Sequence, residues 1–154
     1  PDNIELMLYK VSQCPQCYIN GEMECCGCNF KEALTLEIER FNRLKFIDAS
    51  LIVTGEEKEV DQKHGIIMFR ILQEFFSNTI KHAKGSKLEV FLHFKDNVLE
   101  IIAKDNGVGF NIDQVNKKGI GLQNIKSRVG LINAEANLKS VPNKGTTLNI
   151  YYYF

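Results

Sequence analysis

Hydrophobic positions along this chain fall into short runs whose spacing switches between helical and alternating. Ala33, Leu34, Leu36, Ile38 and Phe41 form an apolar stripe on one side of a helix predicted over Lys31–Leu44. Phe46–Val53 alternates loosely and reads as a strand ending at Thr54-Gly55. Asp61 is placed to cap a long helix that reaches Ala83, with Gly85 just beyond it. Leu88, Val90, Leu92 and Phe94 share one face of a strand, and Val98–Lys104 forms the next. Asp96-Asn97 between those two runs is a hairpin signal. Gln123–Ala134 reads as a helix. The strands Asn137–Val141 and Thr146–Phe154 flank a Pro142-Asn143-Lys144-Gly145 turn. Hairpins alternating with helices imply an α/β (α+β) two-layer sandwich, a mixed sheet with helices on one face.

The 154 residues suffice for one domain with a sizeable core. Nineteen basic and nineteen acidic residues cancel, so charge implies neither a nucleic-acid partner nor direct membrane contact. Every apolar run is strand-sized, well short of a bilayer span. The first residue is Pro1, so the expectation is a piece of a longer protein. Composition divides the chain into a cysteine-rich stretch over residues 1–29, a linker or remnant of an upstream region, and a regular domain over 30–154. All five cysteines lie within that first stretch. An odd number in one cluster makes a poor disulfide framework, which favours a reducing, cytoplasmic setting.

Four polar segments interrupt the apolar pattern. Arg70, Glu74, Asn78 and Lys81 recur at steps of four, four and three, which gives them one face of the long helix. That face is either simply solvated or a place for magnesium and phosphates, because a carboxylate, an amide oxygen and an ammonium stand on successive turns. Asp105 ends a strand before Gly107 and Gly109. It is either an Asx-turn residue or an acceptor for the exocyclic amine of adenine, with the glycines admitting backbone close to the purine. Gly119 and Gly121 open a helix, as punctuation or to turn free amides toward phosphates. Lys144-Gly145-Thr146-Thr147 closes the set as a turn entering the last strand.

Taken together these segments resemble the GHKL family of ATP-binding domains, shared by sensor histidine kinases, gyrase, Hsp90 chaperones and mismatch-repair proteins. Glu74-x3-Asn78-x2-Lys81-His82-Ala83 resembles the asparagine box of the histidine kinases. Asp105-x-Gly107-x-Gly109 resembles the first glycine box, Gly119-x-Gly121-Leu122 the second, and Gly145-Thr146 the closing threonine motif. Arg70-Ile71-x-Gln73-Glu74 and the short lid between Phe110 and Gly119 are similar to the branch that includes nitrate and oxygen sensors. The resemblance covers residues 31–154 and implies a Bergerat fold, with a mixed, mostly antiparallel sheet. It implies ATP and Mg2+ as cofactors: Asn78 holding the magnesium, Lys81 and His82 near the phosphates, and Asp105 with Thr146 recognising adenine. Gly107, Gly109, Gly119, Gly121 and Leu122 would line the pocket, and Glu74 would take a supporting or base role beside Asn78.

The implied activity is that of an ATP-dependent protein-histidine kinase in a bacterial two-component system. None of His64, His82 and His93 resembles the acceptor, so the phosphorylated histidine is expected on a dimerisation domain upstream of Pro1. The implied partners are that domain, in a homodimeric full-length protein, and the receiver domain of a response regulator. The expected setting is cytoplasmic, including the cytoplasmic part of a membrane-bound kinase. The cysteines depart from the family pattern. Cys14, Cys17, Cys25 and Cys28 would present four thiolates to Zn2+ or an iron–sulfur cluster, or else are buried or redox-labile thiols. Two rivals stand beside the kinase reading: an anti-sigma-type serine kinase, and a non-catalytic metal- or redox-sensing module with vestigial nucleotide binding.

Overall fold

The computed structural model describes residues 29–83, 85–109 and 120–154; for His82, Ala83 and residues 120–124 it describes the helical backbone alone. The described chain starts at a helix, α1 (Phe30–Arg43). Asn29 Oδ1 accepts the Glu32 amide at 2.8 Å, and Glu32 Oε2 accepts the Asn29 amide at 3.4 Å. That reciprocal pair satisfies two donors that a helix start leaves orphaned. At the other end, Lys45 takes a left-handed φ of 57° and the chain reverses. Asn42 then bonds both the amide and the carbonyl of Ala49, at 2.8 and 2.7 Å, and pins the end of α1 to β1 (Asp48–Thr54).

The long helix, α2 (Gln62–Asn78), starts where the sequence predicts, with Asp61 Oδ1 accepting the amides of Lys63 and His64. Its end differs from the expectation of one α-helix to Ala83. Thr79–Ala83 is a π-helical turn, so the three-residue step from Asn78 to Lys81 leaves α-helical phase. β2 (Lys87–Phe94) and β3 (Val98–Asp105) form the expected hairpin, closed by a bond from the Lys95 amide to the Val98 carbonyl.

The next helix, α3 (Ile120–Val129), is shifted toward the N-terminus from the predicted 123–134. Gly130 and a tight turn, in which the Ile132 amide bonds the Val129 carbonyl, stop it early. That leaves Ala134 free to begin β4 (Ala134–Ser140), three residues before the predicted strand. β5 (Thr146–Tyr153) ends the order.

The sheet runs β1-β2-β3-β5-β4, with β1 and β2 parallel and the other pairs antiparallel. This is the mixed, mostly antiparallel sheet that the resemblance implies. Leu88, Val90 and Leu92 from β2, with Leu99, Ile101 and Ala103 from β3, turn fully buried side chains to one face. Against it pack the buried residues of α1 and α2, including Leu34, Phe41, Met68, Leu72 and Phe76. Each large side chain buried there contributes about 1.5–3 kcal/mol. The opposite face carries Phe91, His93, Ile102 and Tyr151, all half-buried. Among the described residues no helix is long and apolar enough to cross a membrane.

Candidate functional site

Asp105 continues the buried alternation of β3, one step past Ala103, so a carboxylate occupies a place that the pattern reserves for a hydrophobe. It is 8% exposed. Burial at that level demands partners, and both oxygens have one. Oδ2 accepts the hydroxyl of Thr79 at 2.9 Å, and Oδ1 accepts the Gly107 amide at 2.9 Å. Thr79 is itself 3% exposed and is the first residue of the π turn, immediately after Asn78. An ionised carboxylate has about four acceptor positions, so two donors leave capacity for an external N–H. That capacity fits the exocyclic amine of a purine.

The ladder brings Thr146 directly opposite Asp105, and Leu88 flanks Asp105 on the other side. Thr146 Oγ1 lies 2.9 Å from Ser140 Oγ, whose hydroxyl also donates to the Gly145 carbonyl at 3.1 Å. The loop after Asp105 is held from two directions. Asn106 Oδ1 accepts the amides of Ser86 and Lys87, each at 2.9 Å, and so ties the loop to the start of β2. On the other side the Asn143 amide donates to the Val108 carbonyl.

Two glycines make this interlock feasible. Gly145 has φ +80°, and a Cβ there would stand 2.1 Å from the Asp105 carbonyl oxygen. Gly109 has φ +64°, and a Cβ there would stand 2.1 Å from the Val141 carbonyl oxygen. At both positions a side chain is excluded by backbone conformation and by space.

Glu74, Asn78 and Lys81 lie on the same side element. Asn78 is exposed at the last α-helical position of α2, and Lys81 is half-buried within the π turn. Glu74 receives Arg128 Nη1 of α3 at 2.8 Å, with both side chains partly exposed. Arg70 turns instead to Gln73, at 3.0 Å. Gly121 and Leu122 fall in the first turn of α3, at the level of backbone only. Gly119, the lid between Phe110 and Gly119, the side chain of His82 and all the cysteines lie outside the described residues.

Three participants escape the sequence reading: Thr79, Asn106 and Arg128. Thr79 carried a faint signal, a hydroxyl at a phase otherwise filled by buried Phe75, Phe76 and Leu72. Asn106 carried another, since Asn before Gly is a frequent loop-bonding residue. Elsewhere, Glu37 on α1 is buried with Oε2 unpartnered, and burial pushes its carboxyl up to about 7 against the opposing pull of Arg40.

Residues 64–153 match the family described as "Histidine kinase-, DNA gyrase B-, and HSP90-like ATPase". The sensor histidine kinase LiaS of Bacillus subtilis is 36% identical over 126 residues, covering 80% of this chain and 34% of LiaS. The sensor protein VraS of Staphylococcus aureus is 40% identical over 83 residues, covering 54% of this chain and 24% of VraS. The chain thus spans a quarter to a third of these relatives' length. Among solved structures, the mycobacterial sensor histidine kinase MprB superposes with a TM-score of 0.63 at 18% identity, covering 82% of this chain and 95% of that one. The Acinetobacter baumannii histidine kinase AdeS gives 0.65 at 17% identity, covering 81% of this chain and 64% of that one. At such identities the structural likeness concerns the fold.

Proposed function

This chain belongs to the histidine kinase-, DNA gyrase B- and HSP90-like ATPase family, and from that premise we propose that it is the catalytic, ATP-binding domain of a two-component sensor histidine kinase. The single observation that carries the reading is the buried Asp105 carboxylate, braced by Thr79 and Gly107 with acceptor capacity to spare. A fixed acceptor in a dry site discriminates a purine amine by hydrogen bonding and costs little reorganisation on binding.

In this reading Asp105 accepts the exocyclic amine of adenine, and Thr146, opposite it in the ladder, assists through its hydroxyl. Asn78 holds a magnesium ion that, when bound, neutralises charge on the phosphate oxygens; Lys81 and His82 lie near those phosphates. Gly107, Gly109, Gly119, Gly121 and Leu122 line the pocket, and Glu74 supports Asn78. Phosphoryl transfer asks mainly for positioning and charge stabilisation, which these groups supply. The γ-phosphoryl group passes to a histidine on a dimerisation domain outside this chain, and from there to a response regulator. Residues 30–154 form the kinase domain and residues 1–29 the link to the upstream region, in a homodimeric protein whose catalytic part is cytoplasmic.

Calorimetric titration of ADP and ATP, with and without magnesium, tests the pocket. Adenine- and magnesium-dependent binding in the micromolar to sub-millimolar range is the expected result. Absence of binding to either nucleotide would overturn the reading.

A further inference from the structure

The ion pair between Arg128 and Glu74 joins α2, which ends at Asn78, to α3, which has Gly121 in its first turn. Helix α3 is ten residues long, too short to hold its shape without tertiary support. Its anchoring side chains Ile125 and Val129 are buried and sit in its C-terminal half. Arg128 stands between them and reaches α2 one turn before Asn78, where its Nη1 meets Glu74 Oε2 at 2.8 Å. Arg128 also lies in the last turn of α3, where a cation complements the helix dipole. The start of α3, at Ile120, carries Gly121, which the proposed site assigns to the nucleotide pocket.

We propose that Glu74 is a positioning residue: through Arg128 it fixes the rotation and axial place of α3 against α2, and so keeps the start of α3 in register with Asn78. The inference rests on the proposed nucleotide site for its consequence, though the ion pair itself does not depend on it. The Arg128 guanidinium, 2.8 Å from Glu74 Oε2, commits that oxygen to the adjoining helix, and this is the contact through which Glu74 acts on α3. Since the pair is partly exposed and solvent-screened, its loss is expected to cost about two- to fivefold in nucleotide affinity, not the fold.

The test uses four forms of the 154-residue chain: wild type, Glu74→Arg, Arg128→Glu and the double reversal. Two quantities are measured on each, the affinity for Mg-ADP by calorimetry and amide hydrogen exchange over residues 120–129 without nucleotide. Each single reversal is expected to bind Mg-ADP about two- to fivefold more weakly and to exchange faster in α3. The double reversal is expected to recover both. Single variants that exchange like wild type, or a double variant as impaired as the worse single, would overturn the proposal. Failure of the wild type to bind Mg-ADP would remove the nucleotide reading instead, while hydrogen exchange in the same four proteins still decides whether the pair positions α3.

Discussion

Replacing Asp105 by Asn separates the two jobs of that side chain, bracing the loop and receiving a ligand. In the wild type Oδ1 takes the Gly107 amide and Oδ2 the Thr79 hydroxyl, both at 2.9 Å. A backbone N–H can only donate, so the amide oxygen of Asn must stay on Gly107. Its NH2 then faces Thr79, whose hydroxyl can rotate from donor to acceptor. Both internal bonds survive in neutral form, at a stability cost of about 1 kcal/mol. The ligand side is not so forgiving. An incoming purine amine loses an ionised acceptor, about 1.5–3 kcal/mol, and meets an N–H that it leaves unpaired, about 1–3 kcal/mol more. The sum is about 2.5–6 kcal/mol, or roughly two to four powers of ten in Kd. Calorimetry with Mg-ADP on Asp105→Asn, beside a thermal melt to verify the fold, measures both. Binding within threefold of wild type would refute the reasoning and reduce Asp105 to a loop brace.

Asn78→Ala, at an exposed position, should leave stability nearly unchanged and weaken Mg-ATP far more than metal-free nucleotide; equal losses in paired titrations would remove Asn78 as a ligand to the ion. Gly145→Ala forces a Cβ to within 2.1 Å of the Asp105 carbonyl oxygen at φ +80°. Its strain of at least about 2 kcal/mol should lower Tm by about 4–8 °C, read by calorimetric melting; an unchanged Tm contradicts the interlock. Glu37 titrates near 7 when folded against 4.5 as reference, because burial disfavours its charge. Its folded pKa is raised, so the native state holds the proton that the unfolded chain releases, and stability falls as pH rises from about 4.5 to about 7, by roughly 3 kcal/mol in full. Urea denaturation between about pH 5 and 8 should show that slope in wild type and lose it in Glu37→Gln; parallel slopes in the two would count against the burial argument.

The part of the fold that could be read from the sequence divides from the rest along a physical line. Periodicity reports which face of an element is buried, and it identified the row Leu88–Phe94 and the strand Val98–Lys104 because an apolar residue recurs at every second position. Asp61 was legible as a cap because its chemistry is local, completed within three residues. The end of α3 was not, since Leu131, Ile132 and Ala134 extend an apolar pattern compatible with helix. Only Gly130 and the pairing of Ala134 with Tyr152 decide otherwise. The π turn at Thr79 was equally silent, because an extra residue per turn leaves no mark in composition. The polar residues that periodicity missed share one property: each acts on a partner far along the chain. Thr79 answers Asp105 26 residues away, and Arg128 answers Glu74 54 residues away.

Those long-range partners make the end of α2 the hinge of the site. Within six residues it presents Glu74 to α3, Asn78 to solvent and Thr79 to the carboxylate at the end of β3. A continuous α-helix would keep the residues after Thr79 in the phase set by Phe75 and Phe76, whose rings are already committed to the core. Opening the helix to π geometry at Thr79 redirects the next turn without withdrawing those rings. The Thr79 hydroxyl is buried, so its bond to Asp105 is desolvated and correspondingly strong. A displacement of α2 along its axis would therefore be felt at Asp105 and at α3 together. The purine end and the phosphate end of the proposed site share one rigid element, so their spacing is set by α2 and not by the loops between.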